Sequence, residues 1–154
     1  MPSGYPFAAW LSGQAYTVVI RENDNAPVGD AVVLALPSDS TAPGKARTSV
    51  RENLTRWRLP DKVDACVLAV SELVTNALRH GSPPIVMRLR RQPHDVRMDV
   101  SDGDTGGMPD RAAQEQADTE ESGRGLFIVR SVADEVGVET SVGNGKSVYA
   151  SWHV

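Results

Sequence analysis

The stretch RLPDKVDACVLAVSELVTNALRHG, residues 58–81, limits the possible folds more than any other part of the chain. Val63, Val67, Val70, Val74, Ala77 and Leu78 recur at the spacing that lines one side of an α-helix. Asp61, after Pro60, can serve as a cap, and Gly81 stands where a helix C-terminus favours glycine. The pattern predicts a helix over about 61–80 whose apolar stripe must be covered by another layer. Glu72, Asn76 and His80, spaced four and four apart, flank that stripe. Helical geometry stacks such residues on one face, roughly 5–6 Å apart between neighbouring Cβ atoms. A carboxylate, an amide and an imidazole thus form one polar strip beside a core-facing surface.

The neighbouring segments define what covers the helix. AVVLALP (31–37) is a compact apolar run ended by Pro37 and reads as a buried strand. Ala46, Val50, Leu54 and Trp57 give a second helix over about 41–58, with Ser38 to Thr41 as caps. IVMRLRRQ (85–92) and DVRMDVSD (95–102) alternate and form a hairpin around Pro93 and His94. Residues 103–125 are Gly-rich and acidic, as expected of a mobile loop. GLFIVRSVADEVG (125–137) returns to a helical period, and 138–154 closes with two strands around Gly143-Asn144-Gly145. The order implies an α+β, two-layer sandwich, with a mixed, mostly antiparallel sheet and helices on one face. It does not suit a doubly wound parallel sheet. Residues 1–30, rich in Gly, Pro and Ser, read as a partly disordered extension in which AYTVVIRE (15–22) can form a short strand, leaving 31–154 as the folded domain.

Composition removes several function classes. The 154 residues suit one domain, and the single Cys66 allows no internal disulfide and no cysteine-based metal cluster; it reads as a core residue. A net charge of −4 argues against direct nucleic-acid binding through phosphate contacts. No stretch approaches the ~18 apolar residues of a membrane span, so a cytoplasmic protein without membrane contact is expected. The 41–58 region is locally basic through Lys45, Arg47, Arg51, Arg56 and Arg58: either a solvated face or a docking surface for an acidic partner.

Two further segments give the polar strip a chemical context. Asp102 ends an alternating strand and opens DGDTGG, and Gly123-Arg124-Gly125 opens a helix. A carboxylate at a strand end can accept a hydrogen bond from an exocyclic amine, and a glycine-opened helix N-terminus offers N–H groups to phosphates. An amide oxygen can join phosphate oxygens and water around Mg²⁺, which usually takes only one or two protein ligands. A nearby carboxylate can deprotonate a nucleophile that attacks a phosphoryl group. These groups together describe a nucleotide site. Ser71, on the same helix, has no base arranged beside it in the sequence, so a hydrolase reading gains no support.

These segments resemble the GHKL ATPase superfamily and its Bergerat nucleotide-binding fold, over about residues 31–152. Within it they are most similar to the small bacterial anti-sigma factors that are also serine protein kinases. The resemblance implies Mg²⁺ and ATP as ligands, with Glu72 in ELVTNALRH as catalytic base, Asn76 as Mg²⁺ ligand and His80 as a supporting residue beside the phosphates. VSDGDTGGMP resembles the adenine box, which makes Asp102 the base contact and Gly106 one of its glycines. GRGLFIV resembles the second glycine box, bringing Gly123, Arg124, Gly125 and Leu126 near the phosphates; GKSVYASW resembles the closing strand, with Ser147 assisting adenine binding through water. The implied partners are a sigma factor and an anti-anti-sigma protein, with a homodimer as the assembly. Asp104 departs from the family's D-x-G-x-G pattern, and the lid region Met108 to Ser122 is acidic, so modest ATP affinity is expected. Both features favour a second reading, a Bergerat-fold interaction module that regulates a partner by binding alone.

Overall fold

The computed structural model describes residues 17–21, 30–103, 121–141 and 145–154. Its strands are β1 (Thr17–Arg21), β2 (Asp30–Leu36), β3 (Ile85–Arg91), β4 (Asp95–Ser101), β5 (Glu135–Ser141) and β6 (Gly145–His153). Three helices, α1 (Ala42–Arg56), α2 (Val63–His80) and α3 (Glu121–Val132), complete the order, with a short 3-10 turn at Pro60–Lys62. The strands form one six-stranded sheet in the order β1-β2-β3-β4-β6-β5. Every pairing among the described strands is antiparallel, in line with the α+β, mostly antiparallel architecture expected from sequence, and none of them supplies a parallel pair.

Alternation along the strands separates an inner from an outer face. β4 alternates half-buried and buried residues along its whole length. Val96, Met98 and Val100 join Val32, Leu34, Ile85, Met87 and Leu89 in the core. Against them lie Ala42, Ala46, Val50 and Leu54 of α1 and Cys66, Ala69, Val70, Leu73, Val74 and Ala77 of α2, with Val129 of α3. Helix α2 packs between α1 and α3, so its stripe is covered by the sheet below while both flanks are covered by helices. Full burial of each Val or Leu contributes about 1.5–3 kcal/mol, which is why the stripe fixes how α2 sits on the sheet.

The opposite sheet face carries Arg97, whose guanidinium binds Asp99 at 2.9 Å and Glu139 at 3.1 Å. It lies over the Tyr149 ring, 4.0 Å from the centroid. Tyr149 covers Gly137, its cross-strand partner, and its hydroxyl donates to Glu135 at 2.9 Å. Hydrogen bonding to Glu135 raises the Tyr149 pKa above its ordinary value.

Several element ends differ from the expectations. Helix α2 starts at Val63 with Lys62 in the cap position, one residue beyond the capping proposed for Asp61, because Pro60–Lys62 forms the 3-10 turn. At the start of α1 the accepting residue is Asp39, within the expected Ser38 to Thr41 segment; its Oδ1 takes the Thr41 N–H at 2.8 Å. Helix α3 begins at Glu121 and ends at Val132, where a helix over 125–137 was expected. Its end is set by tertiary contacts: Trp152 Nε1 donates to the Val132 carbonyl at 2.7 Å, and Asp134 N–H donates to Ser151 O at 2.9 Å. The next residue, Glu135, is already paired with Ser151 in the sheet. At the N-terminal side, Thr17–Arg21 does form a strand, paired with β2. The rest of the expected extension, 1–16 and 22–29, lies outside the described residues.

Candidate functional site

Glu72 and Asn76 sit on the flank of α2 that faces α3, both half-buried. Gly125 of α3 is laid directly against them. A Cβ on Gly125 would stand 3.0 Å from Glu72 Oε2, 3.2 Å from Asn76 Nδ2 and 3.4 Å from Asn76 Oδ1. The carboxylate and the amide of the polar strip are therefore one turn apart on α2 and face the same glycine on the neighbouring helix.

Gly123, Arg124 and Gly125 do not open α3 as expected but follow its first two residues, Glu121 and Ser122. The first four N–H groups of an α-helix have no intrahelical partner. Gly123 and Arg124 lie in the first described turn of α3; backbone donors at a helix N-terminus suit an anion. Gly125 contributes space for Glu72 and Asn76. Leu126 is half-buried and packs against the core, which fixes how α3 presents the preceding glycines.

The other end of the strip meets Asp102. His80 is exposed in the last turn of α2, and Gly81 after it touches the Asp102 side chain. The Asp102 N–H donates to Lys146 O at 3.0 Å, and the Gly103 N–H donates to Ser82 O at 2.7 Å. One helix thus carries Glu72 at its middle and Asn76 one turn further on, and abuts Asp102 at its C-terminal end. Nine residues separate Glu72 from Gly81, a helical rise of about 13–14 Å.

The register of the closing strand redistributes roles. Val100 pairs with Val148 on the core side, and Ser101 pairs with Ser147. Alternation puts Ser147 in the outer row with Ser101, while Lys146 shares the helix side with Asp102. Lys146 is the site neighbour that the sequence reading passed over; the signal was the parity of β6 relative to Asp102. Asp104, Gly106 and the acidic loop up to residue 120 lie outside the described residues.

On α1, Lys45, Arg51, Arg56 and Arg58 are exposed, but Arg47 is half-buried and donates to Ser71 Oγ of α2 at 3.3 Å. Ser71 Oγ in turn donates to Val67 O at 2.9 Å, so this hydroxyl ties two helices together. Cys66 is fully buried, as expected, and burial pushes its thiol up to about 12.

The layout defines a class of protein: a two-layer ATPase domain in which a helix above an antiparallel sheet holds Glu72 and Asn76 against Gly125 and ends against Asp102. The chain belongs to the histidine kinase-like ATPase domain family, whose sequence model matches residues 36–152. The matched span runs from the end of β2 to Trp152 and includes Glu72, Asn76, His80, Asp102 and the α3 glycines. A search of curated proteins finds no match to the chain. Among the described residues no helix is long and apolar enough to cross a membrane.

Proposed function

We propose that this ATPase domain is a cytoplasmic protein serine kinase of the anti-sigma type, which binds a sigma factor and phosphorylates a serine of the small protein that antagonises this binding. The observation that carries the reading is the convergence of Glu72 and Asn76 on Gly125. It brings a carboxylate and an amide to the same point, beside the first described turn of α3, and these groups suit a base and a metal ligand.

Among the described residues no three His, Cys, Asp or Glu side chains gather into a metal cage. The Asn76 amide beside Glu72 suits a cation that keeps most of its water and arrives with a triphosphate, which is the chemistry of Mg²⁺. Asn76 would hold that ion, and its charge would offset the negative charge developing on the transferring phosphoryl oxygens. Glu72 accepts the proton of the partner's serine hydroxyl. The serine oxygen then forms a bond to the γ-phosphorus as the bond to the β,γ-bridging oxygen breaks, giving phosphoserine and ADP. Backbone N–H groups of the first turn of α3, at Gly123 and Arg124, serve the phosphate end, and the Asp102 carboxylate accepts a hydrogen bond from the adenine amine. Exposed Arg51 and Arg58 on the α1 side supply positive charge to an acidic partner surface.

Calorimetric titration with ATP, with and without Mg²⁺, tests the nucleotide half of the reading; saturable binding that depends on Mg²⁺ is expected. Phosphate transfer to an anti-anti-sigma protein tests the other half. Glu72→Ala is expected to abolish transfer and largely spare ATP binding, and unchanged transfer would remove Glu72 as the base.

A further inference from the structure

A glycine directly after a helix is ordinarily explained by left-handed backbone, but Gly81 has φ −96° and ψ 180°, extended geometry open to any residue. What requires glycine here is space. A Cβ at Gly81 would stand 2.6 Å from Asp102 Oδ2, 2.7 Å from Asp102 Cβ and 2.7 Å from Ala77 O. None of these neighbours can retreat freely. Ala77 O accepts the Gly81 N–H at 2.9 Å at the end of α2, and Asp102 is held by its own N–H on Lys146 O at 3.0 Å. The next residue is fixed as well, through the bond from Gly103 N–H to Ser82 O. The end of α2 is thereby pressed against the flank of the Asp102 side chain from a position already fixed at both ends.

We propose that Gly81 is a positioning residue that sets the purine selectivity of the site: by carrying no side chain it lets α2 seat the Asp102 carboxylate where it accepts from the 6-amino group of adenine and rejects the 6-oxo group of hypoxanthine. The proposal rests on the reading of Asp102 as the base contact. A carboxylate is an acceptor only, so it gains a hydrogen bond from an amine and is left facing a second acceptor by a carbonyl. That contrast survives only while the carboxylate is held in place. A methyl group at Gly81 pushes it aside, water enters between carboxylate and base, and the contrast shrinks. Asn76 and Glu72 lie five and nine residues back along α2 and, with Gly125 of α3 against them, continue to serve the phosphate end.

The test is calorimetric affinity of the full chain for ATP and for ITP with Mg²⁺, in the wild type, Gly81→Ala and Asp102→Ala. The wild type is expected to prefer ATP by about tenfold or more, the worth of one hydrogen bond to a charged acceptor. Asp102→Ala brings the ratio close to one. Gly81→Ala lowers it severalfold by loss of ATP affinity, with ITP affinity nearly unchanged. If Asp102→Ala keeps the preference, the reading of Asp102 fails and the proposal with it. If Asp102→Ala removes the preference but Gly81→Ala retains it, the reading stands and the proposal is overturned. Equal losses of ATP and ITP affinity in Gly81→Ala would assign the glycine a purely structural role and overturn it as well. Thermal unfolding supplies a second check that needs no ligand: Gly81→Ala lowers Tm less in an Asp102→Gly background than in the wild type, and equal lowering would contradict the contact.

Discussion

Gly125 of α3 lies so close to Glu72 of α2 that a methyl group on the glycine would stand 3.0 Å from the Glu72 carboxylate oxygen. The same methyl would crowd Asn76, so one missing side chain makes room for two functional groups. Gly125→Ala is expected to shift both by a few tenths of an ångström and to lower phosphate transfer about tenfold, since small misplacements of reacting groups are costly. Gly125→Val removes transfer altogether while circular dichroism still reports a folded protein. Full activity in the valine variant would mean that α3 does not pack on Glu72 when nucleotide is bound.

The proposed function gives Asn76 the metal. On that reading, ATP affinity of Asn76→Ala measured with Mg²⁺ should fall to the level measured without it, since the proposal makes the amide oxygen the protein's own ligand to the ion. A Mg²⁺ dependence equal to that of the wild type would move the metal site elsewhere.

Trp152 joins the last strand to the end of α3 through its indole N–H on Val132 O at 2.7 Å, with the ring itself buried. Trp152→Phe keeps most of the packing and leaves a helix-end carbonyl without its partner. The expected loss is about 1–2 kcal/mol, read as a fall of a few degrees in Tm. A larger share of the loss than of global unfolding should be visible as faster amide exchange in the final turn of α3.

Burial holds the Cys66 thiol at about 12, above an ordinary value of 9.0. The folded chain therefore keeps a proton that the unfolded chain releases between these two values. Stability from this source is fully present below pH 9 and declines as pH rises towards 12, by about 1.4 kcal/mol per pH unit at most. Denaturant titrations of the wild type and Cys66→Ala across this range should diverge in slope, with the variant less sensitive to pH. The native thiol should also resist aromatic disulfide reagents at pH 8 until the protein is unfolded.

The elements most legible in the sequence were those whose apolar period was long. Ala46, Val50, Leu54 and Trp57 were expected inside α1, and all four are buried. The β3–β4 hairpin was equally clear, because a strict alternation admits one register of inside and outside. Residues 133–137 were misread as helix since the apolar period of Leu126, Val129 and Val132 runs on through Ala133 and Val136. Hydrogen bonds from Trp152 and to Ser151, more than fifteen residues away, decide otherwise. No window of local sequence contains those partners.

The site was legible by residue type and much less by role. The interval between Glu72, Asn76 and His80 is a property of the α-helix, so the sequence by itself determined that they share a strip. The span matched by the family model, residues 36–152, contains all three. What only the tertiary structure decided is which partner each one meets. Gly81 resembles a helix cap in sequence and is instead extended backbone against Asp102, and Gly125, expected from sequence near the phosphates, lies against Glu72 and Asn76. Lys146, and not Ser147, falls on the helix side of β6 because strand pairing with β4 fixes the parity. Local sequence encodes periodicity through backbone geometry, whereas close approach depends on how two separately formed elements pack, and packing is settled by the whole core at once.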